Sequence, residues 1–484
     1  MRCILHLIVV LLVSMLSFIS CGDYETKKLP DGTLEIVRYK GNNTQIEIPS
    51  SIKETSVTVI GNKSGWSNGV TTGAFQDIQL VSLILPEGIT EIKENAFADN
   101  RIIEIDLPTT IKNIGKSAFI NNKIKKMIIP EGIMEIGDNA FSKNSIDELV
   151  LPIGLKRINN GSFSYNNLIN VIVPDDITEI GDNAFAYNKV DQLIIPKAVV
   201  TIGASAFENN KLTKFPINKQ DVKIGSRAFA NNEITEVVLN IGISISVDTF
   251  ENNAITKFTL AEGYKNVGAA PKNKISSITL PSSTETIIPH AFENNQISRL
   301  VIPERVKNIG EYAFRGNNIT SLRIPKNVEN IGNYAFADNP IESVTIENKS
   351  IVIGQNNFSP GVRDSITRQI STTIAYDDLM RQPDKWKGKV IRISGRISQI
   401  LDPNARNIDL FLDFSGDWDF EVKQVHVSYS YKDNEERFLK NDRVTVWGTF
   451  NGMTDKYRSS FDILGLNPLS MPDIRGSIIE RQRR

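Results

Sequence analysis

One short segment of this chain has a pattern that is typical of a catalytic nucleophile. Residues 65–69 follow G-x-S-x-G around Ser67, the pattern that holds a serine on a sharp turn between a strand and a helix in many hydrolases. Acyl transfer at that serine would also need a neighbouring histidine and acid. Here the segment interrupts a repeating unit between Ile60 and Phe75. We therefore predict an insertion loop without catalytic function.

Histidines are the next side chains that could do acid–base chemistry. Outside the N-terminal apolar segment there are two, His290 and His426, whereas general acid–base catalysis needs a positioned group of such side chains. His290 takes a variable position before an Ala-Phe pair, which predicts a turn residue, and His426 alternates with valines, which predicts a surface position on a strand. The sequence has no phosphate-binding glycine loop and no cysteine–histidine cluster. We predict a non-enzymatic protein with no metal and no cofactor.

The third reactive side chain, Cys21, follows a segment that is typical of export signals. Arg2 gives a positive start, residues 4–19 are almost entirely apolar, and Ser20-Cys21-Gly22 comes next. This ending looks like a lipobox, in which cleavage precedes acylation of the cysteine, although Phe18 departs from the usual leucine. We predict a signal peptide over residues 1–20 and lipidation at Cys21. A plain secretory signal and a transmembrane helix are the alternatives; the apolar segment is slightly shorter than the roughly 20 residues that a bilayer core requires.

Length and charge limit the classes of protein to which the chain can belong. At 484 residues it is too long for one ordinary hydrophobic core, which predicts several domains or a repeat array. Hydrophobic residues make up 40% and charged residues 23% of the chain, values near the globular average that argue against disorder. Lys and Arg total 55 against 56 Asp and Glu, so overall charge gives no support for nucleic-acid binding.

Phenylalanines recur at a fixed interval through most of the chain. Eight of them are spaced 22 residues apart and five more follow after a slip of one residue: Phe75, Phe97, Phe119, Phe141, Phe163, Phe185, Phe207 and Phe229, then Phe250, Phe292, Phe314, Phe336 and Phe358. Each unit reads approximately I-x-x-L-x-I-P-x-x-I-x-x-I-G-x-x-A-F-x-x-N, in which a short alternating strand is ended by proline. A unit of this size cannot bury a ring alone, so we predict stacked coils with an internal column of Phe rings.

Glycine and asparagine recur with the same period. Gly137 and its equivalents occupy a position where a Cβ would be costly. Asparagine follows the Phe by three residues, which predicts an inward ladder of amides that satisfies backbone groups at the bend; its members are Asn100, Asn122, Asn144, Asn166, Asn188, Asn210, Asn232, Asn253, Asn295, Asn317 and Asn339.

These coils resemble the BspA-like, treponemal-type leucine-rich repeat, which is written around I-P-x-x-V-x-x-I-G-x-x-A-F. The resemblance covers roughly three hundred residues in about thirteen coils. It implies a mainly β fold, with a leucine-rich-repeat solenoid of about 22-residue coils over residues 62–360 and an N-terminal cap over residues 21–61. The coils around Phe250 and Pro271 lose parts of the motif, which predicts local irregularity or a bend there.

A different pattern begins after residue 360. Short alternating stretches near residues 389–397, 424–431 and 443–450 predict the strands of a small barrel. Residues 376–379, 383–390 and 441–448 read YDDL, PDKWKGKV and NDRVTVWG, and they resemble the OB-fold-like modules at the ends of some bacterial lipoproteins. We predict a linker over residues 361–372, an OB-fold-like domain over residues 373–475 and a basic tail over residues 476–484.

The aromatic residues of this module raise the question of nucleic-acid binding. OB barrels often bind single strands through aromatic side chains in a basic groove, and the aromatic candidates here are Trp386, Trp418, Tyr429, Tyr431 and Trp447. Carboxylates in the middle of the module would repel phosphates; they are Asp402, Asp409, Asp413, Asp417, Asp419 and Glu421. We therefore expect no nucleic-acid partner and predict that the aromatic residues pack in the core and rim of the module.

The strand of each coil contains one position where a partner could bind. Because side chains alternate along a strand, the residue between the two inward positions faces solvent. Apolar residues occupy this position in successive coils, and the candidate binding residues are Ile128, Val150, Ile172, Ile194 and Val238. A polar rim beside them supplies the further candidates Lys126, Glu148, Gln192 and Lys214. Such a stripe is typical of a partner surface, or it reflects only the strand propensity of Ile and Val.

The resemblance also implies a functional class. Members of the family are surface lipoproteins of the adhesin kind that bind extracellular-matrix proteins. We accordingly expect a protein partner such as a host matrix component, and membrane attachment through a lipid anchor in the bacterial outer membrane at the cell surface. The alternative is a periplasmic envelope-scaffold lipoprotein in which the OB-like module does the recognition.

Overall fold

A computed structural model describes residues 21–64, 71–217, 220–373, 379, 381–401, 407–413, 424–430, 438, 442–454 and 471–481. The signal segment and the G-x-S-x-G motif around Ser67 lie outside these residues, as do Trp418 and Tyr431. The chain divides into two compact units. The first comprises residues 1–264, 268–278 and 290–296, and the second comprises residues 265–267, 279–289 and 297–484.

The first unit begins with short strands that lead into the repeats. They are β1 Tyr24–Lys28, β2 Leu34–Tyr39, β3 Gln45–Glu47, β4 Ser51–Ile52, β5 Thr55–Ile60, β6 Asn62–Ser64 and β7 Thr71–Gly73. Strands β1 and β2 form an antiparallel pair, and β2 then pairs in parallel with β5. The ring of Tyr39 stacks on Phe75 at 5.5 Å between ring centroids, so this segment joins the same aromatic core as the coils that follow.

Each coil of the first unit contributes up to two short strands. One series carries the alternating pattern: β8 Ser82–Ile84, β11 Lys126–Ile128, β13 Glu148–Val150, β15 Asn170–Ile172, β17 Gln192–Ile194, β20 Glu236–Leu239 and β22 Lys257–Leu260. The other series is shorter: β9 Glu91–Ile92, β10 Asn113–Ile114, β12 Glu135–Ile136, β14 Arg157–Ile158, β16 Glu179–Ile180, β18 Thr201–Ile202, β19 Lys223–Ile224 and β21 Ser244–Ile245. Pairing between coils is parallel, as between β11 and β13 and between β10 and β12, so corresponding residues of successive coils lie side by side.

The second unit contains further coils of the same kind and a helix. Its strands are β23 Asn266–Val267, β24 Thr286–Ile287, β25 Asn308–Ile309, β26 Ser321–Ile324, β27 Asn330–Ile331, β28 Ser343–Ile346 and β29 Val352–Ile353. Helix α1 spans Pro360–Ile370, most of the range for which the sequence predicts a linker. Gln369 of this helix accepts a hydrogen bond from the Ile346 amide at 3.0 Å and donates one to the Val344 carbonyl at 2.7 Å. The helix thereby satisfies backbone groups at the edge of β28.

The chain ends in a small closed sheet within the second unit. Its elements are β30 Thr372–Thr373, helix α2 Pro383–Trp386, β31 Val390–Leu401, β32 Asn407–Asp413, β33 Gln424–Ser430, β34 Arg443–Thr454 and β35 Met471–Arg481. Five strands pair in the order β31-β32-β33-β35-β34, and β34 pairs back onto β31. Strand β35 extends through Arg481, into the range for which the sequence predicts a basic tail, because Ile474 and Ile479 pack into the barrel core and Ile478 is also buried.

Phenylalanine rings form a buried column in each unit. In the first unit, successive rings from Phe75 to Phe250 stack with centroids 5.1–6.1 Å apart. In the second unit Phe314, Phe336 and Phe358 stack at 5.6 and 5.9 Å. The stacked coils and their ring columns confirm the predicted solenoid, because each coil obtains its core from its neighbours.

The column changes where the repeat motif is lost. Pro271 occupies the place of a Phe, and the ring of Phe258 lies edge-on to both Phe250 and Phe292, at 6.1 and 6.0 Å between centroids. A strand residue of β22 thus fills the gap in the column. The irregularity expected from the sequence is a local repacking of aromatic rings.

Asparagines form a second internal column at the bend. Asn166 accepts a hydrogen bond from the Ile146 amide at 3.0 Å, and its side-chain amide lies 3.0–3.2 Å from the carbonyls of Phe141, Phe163 and Ser164. The same pattern recurs at Asn122, Asn144 and Asn188. Each amide therefore satisfies backbone groups of its own coil and of neighbouring coils in a region closed to solvent.

The recurring glycine is explained by contact between coils. A Cβ at Gly137 would lie 2.4 Å from the backbone nitrogen of Lys116 in the preceding coil. At Gly115 and Gly225 the corresponding distances to the backbone of the coil before them are 2.6 and 2.5 Å. Glycine is required here because the two backbones touch, and a positive φ angle is not the reason.

Candidate protein-binding face

The predicted outward residues lie on one exposed face of the first unit. We call Ile128, Val150, Ile172, Ile194 and Val238 the apolar stripe. Ile172 and Ile194 expose 84% and 81% of their surface, and the other three are exposed by 43–50%. Exposure of this degree is uncommon for isoleucine, a residue that is usually buried. The role of these residues in binding is a proposal that we develop below.

Strand geometry explains why these side chains face solvent. In β15, Val171 points into the core while Asn170 and Ile172 point outward, and β11 and β20 show the same alternation. Parallel pairing sets Asn170 beside Gln192 and Ile172 beside Ile194. Adjacent strands are about 4.8 Å apart, so the stripe is a row of apolar side chains along the direction in which the coils stack. Half-buried Pro216 continues the row between Ile194 and Val238.

A second row of side chains runs beside the stripe. Lys126, Glu148, Asn170, Gln192, Lys214 and Glu236 are all exposed. Lys126 and Glu148 form an ion pair at 2.7 Å, and Glu236 forms one with Lys257 at 2.5 Å. Exposed pairs of this kind add little to stability. Because these charged side chains are exposed, a partner could contact them.

Sequence reasoning missed some exposed apolar residues. Ile169 (47% exposed) directly precedes β15 on the far side of Asn170 from the stripe, while Ile84 (44% exposed) occupies the outward position of β8. Met134 and Ile153 are each 75% exposed outside the strands, Met134 directly before β12 and Ile153 in a turn. Ile84 could have been found from the same alternation, because it takes the outward position of β8. Ile169 could not, because it precedes β15 at a position that the alternation would place inward.

The corresponding row in the second unit has a different character. Its outward positions include Val301, Arg323 and Thr345. Arg323 donates to Glu304 at 2.8 Å and to Glu347 at 2.8 Å, and these hydrogen bonds, first that to Glu304, raise the pKa of its guanidinium. The run of apolar outward residues is thus a feature of the first unit.

The two histidines have different surroundings. His290 is exposed at a turn, as predicted, with its Nδ1 atom 2.6 Å from Glu293. The prediction for His426 was wrong: the residue is 2% exposed, and its Nε2 atom lies 3.0 Å from Asp409 on the neighbouring strand. Ser428 donates to the same carboxylate oxygen at 2.9 Å. A nucleophilic triad needs the imidazole between hydroxyl and acid, whereas here the carboxylate lies between the other two groups.

A cavity of about 430 Å³ in the second unit adjoins the last coil, α1 and the barrel. Its lining includes Asn357, Arg363, Thr367, Val390 and Thr449. Arg363 is the one charged side chain among the described residues of this lining. The lining of this cavity therefore contains no acid–base pair, and its residues do not form a candidate catalytic site.

The described aromatic residues of the barrel are engaged by their own chain. Tyr429 is buried and packs edge-on against Phe438 at 6.0 Å. The guanidinium carbons of Arg368 and Arg392 lie 5.7 and 5.4 Å from the centroid of the buried Trp447 ring. These positions agree with packing in the core and rim.

Cys21 begins a single 3-10 turn, Cys21–Asp23. Within the described ranges, no helix combines the length and apolar character needed to cross a bilayer. Three or more metal-ligating side chains do not come together anywhere in the part of the chain that the structure describes.

Comparison with solved structures gives similar repeat proteins at low identity. A leucine-rich repeat protein from Bacteroides ovatus is 21% identical, with 70% of this chain and 91% of that chain covered and a TM-score of 0.48. The pneumococcal vaccine antigen PcpA is 18% identical, with coverage of 72% and 94% and a TM-score of 0.44. A leucine rich cell surface protein from Faecalibacterium prausnitzii is 19% identical, with coverage of 72% and 97% and a TM-score of 0.37. No curated protein gives a significant match.

The repeat region itself matches a family model. The model described as "BspA type Leucine rich repeat region (6 copies)" matches residues 39–169, 156–271 and 244–361. Together these matches span the coils of both units and more than half of the chain. The chain therefore belongs to the BspA-type leucine-rich repeat family.

Proposed function

We propose that the protein is a non-enzymatic scaffold that binds another protein through the apolar stripe and its polar rim. The observation that carries this proposal is the run of outward apolar residues from Ile128 to Val238, with Ile172 and Ile194 more than four-fifths exposed. Each exposed isoleucine forgoes roughly 1.5–3 kcal/mol of burial free energy that a partner could supply. A contiguous apolar row with a polar rim is the usual composition of a protein interface.

We further propose that the chain is exported, acylated at Cys21 and held at the outer membrane, where its stripe binds a host component such as a matrix protein. The lipobox-like Ser20-Cys21-Gly22 and the preceding apolar segment support this location. One acyl chain binds a membrane only weakly, whereas more than one gives stable attachment. Membership in a family of repeat scaffolds supports the binding role.

A periplasmic envelope scaffold is the second candidate function, and the barrel favours it. We infer that this barrel is an OB-like recognition module, because five strands close in the order β31-β32-β33-β35-β34 and β33 pairs in parallel with β35. In this case the barrel would contact the partner and the stripe would not. Protease treatment of intact cells separates the two locations.

The stripe can be tested by charging four of its residues together. We expect a variant with Ile128→Lys, Val150→Glu, Ile172→Lys and Ile194→Lys to bind immobilised extracellular-matrix proteins at least tenfold more weakly, because charges in an apolar contact must be desolvated. The melting temperature should stay close to that of the parent, since all four side chains are exposed. Surface plasmon resonance and thermal unfolding measure the two effects.

A matched control carries charges on apolar residues elsewhere. Met134 and Val200 are 75% and 51% exposed and precede strands of the shorter series. Met134→Lys with Val200→Glu should leave binding unchanged. Undiminished binding by the four-site variant would show that the stripe is not the binding face.

A further inference from the structure

The polar row beside the stripe has an ordered sequence of charges. We call it the charged row, and its members along the coils are Glu104, Lys126, Glu148, Asn170, Gln192, Lys214, Glu236 and Lys257, all of them exposed. From the midpoint between Asn170 and Gln192, the two halves carry opposite charges at equal distances. Glu148 matches Lys214, Lys126 matches Glu236, and Glu104 matches Lys257. The charged row is therefore complementary to its own reverse.

The apolar stripe, together with Pro216 that continues it, is symmetric about the same midpoint. Ile172 and Ile194 are its two central and most exposed members. Val150 and Pro216 stand one coil further out, and Ile128 and Val238 stand one coil beyond them. Reversing the order of coils therefore places an apolar residue opposite an apolar residue at every one of these positions.

We propose that the occupant of this face is a second copy of the chain, bound face to face with its coils in reverse order. The proposal rests on the proposed function of the stripe as a protein-binding face: a second copy covers this face in the free chain, and a matrix protein would displace it. A two-fold axis parallel to the strands, midway between Ile172 and Ile194, reverses the coil order and keeps each row opposite itself. This is an isologous contact, in which residue i meets residue j and j meets i.

In this arrangement the charges form unlike pairs across the interface. Glu148 of each copy lies opposite Lys214 of the other, and Lys126 lies opposite Glu236. The ion pair between Lys126 and Glu148 within each chain becomes part of a network of alternating charge. Facing sheets pack about 10 Å apart, a separation that the side chains of both copies can fill.

The charges also fix the register. A shift of one coil in one direction places Lys126 opposite Lys214 and Glu104 opposite Glu236. A shift in the other direction places Glu148 opposite Glu236 and Lys126 opposite Lys257. Like charges in an interface oppose association, so the symmetric register is favoured over both neighbouring registers.

The size of the face sets the expected strength. Eight coils at about 4.8 Å and a width of three to four residues give a footprint of roughly 35 Å by 10–13 Å. This area is smaller than the roughly 800 Å² per partner of a stable complex. We therefore expect a reversible dimer with a dissociation constant in the micromolar range.

Two opposite charge reversals test the pairing. In a dimer of the Glu148→Lys variant, the new lysine of each copy faces Lys214 of the other. In a dimer of the Lys214→Glu variant, the new glutamate of each copy faces Glu148 of the other. We expect each variant alone to dimerise at least tenfold more weakly than the parent in sedimentation velocity at low salt. An equimolar mixture allows a dimer of one copy of each variant, in which both of these pairs join a lysine to a glutamate, and it should recover the dimer.

Charge reversals away from the face provide the controls, and the outcomes distinguish self-association from matrix binding. Glu135→Lys and Lys223→Glu reverse exposed charges on the shorter strand series and should leave the dimer unchanged. A parent chain that remains monomeric at about 100 µM, or a mixture that fails to recover the dimer, would overturn the proposal. If the parent is monomeric but the four-site stripe variant binds matrix proteins more weakly than the parent, the proposed function stands and the self-association fails alone. If the parent dimerises but the stripe variant keeps both dimer and matrix binding, both fail.

Discussion

Phe141→Ala should lower the free energy of unfolding by roughly 3–5 kcal/mol, the cost that is typical of removing a fully buried aromatic ring. Phe141 has no exposed surface, and its ring is stacked between Phe119 and Phe163 at 5.3 and 5.7 Å, within 4° of parallel to both. The coils are also tied by backbone hydrogen bonds, such as that from the Phe141 amide to the Ser162 carbonyl at 2.9 Å. Because these ties resist collapse, a cavity should remain. Urea denaturation followed by circular dichroism measures the loss.

A stacked but exposed ring provides the control for this prediction. Tyr165 and Tyr187 stack at 4.3 Å between centroids, yet both are more than two-fifths exposed. Tyr187→Ala should cost a small fraction of the Phe141→Ala effect, since little apolar surface leaves the core. Equal losses for the two variants would contradict the account of the Phe column as the source of coil stability.

Asn166→Ala should destabilise the repeat by several kcal/mol, because an unsatisfied buried polar group costs roughly 1–3 kcal/mol and several groups lose their partner together. The side chain contacts one backbone amide and three carbonyls across neighbouring coils. Hydrogen–deuterium exchange should show faster exchange at the Ile146 amide, which loses its acceptor. Urea denaturation measures the overall loss.

The exposed Asn170 in the next coil is the matched control. Asn170→Ala removes the same chemical group from a solvated position, and surface changes of this kind usually alter stability by no more than about 0.5 kcal/mol. If Asn166→Ala proved as mild as Asn170→Ala, the amide column would not be holding the bends together.

The solenoid could be predicted because every coil repeats the same solution. Phe, Asn and Gly recur at fixed spacing because each coil has the same structural requirements. The Phe ring fills the core, the Asn amide satisfies backbone groups at the bend, and Gly leaves room where the backbones of two coils touch. Compensation at Pro271 could not be predicted in the same way. Phe258 fills that gap from another part of the coil, and only the packed structure shows that its ring reaches the column.

His426 shows the limit of reasoning from alternation. Alternation separates the two faces of a strand, but it does not say what covers the outer face. The Asp409 carboxylate that contacts His426 lies 17 residues earlier, on the neighbouring strand. The predicted boundary between residues 475 and 476 falls inside strand β35 for a related reason. The burial of this strand depends on its pairing with β33 and β34, which are distant in sequence.

For the candidate face, the exposure of the stripe followed from the sequence once the inward positions were fixed by the repeat. Its chemistry as an interface did not follow in full. The charges on either side of Asn170 and Gln192 can be recognised as complementary only when the parallel register places these two residues side by side. A partner is then suggested by the arrangement of the row, which no single coil contains.

Protease treatment of intact cells, combined with fatty-acid labelling of Cys21, tests most directly whether this chain is a surface-anchored binding scaffold. The account predicts that the repeat region is degraded in intact cells, and that label enters the parent but not a Cys21→Ser variant. Repeats that stay protected until the outer membrane is broken, or label that persists in the variant, would contradict it.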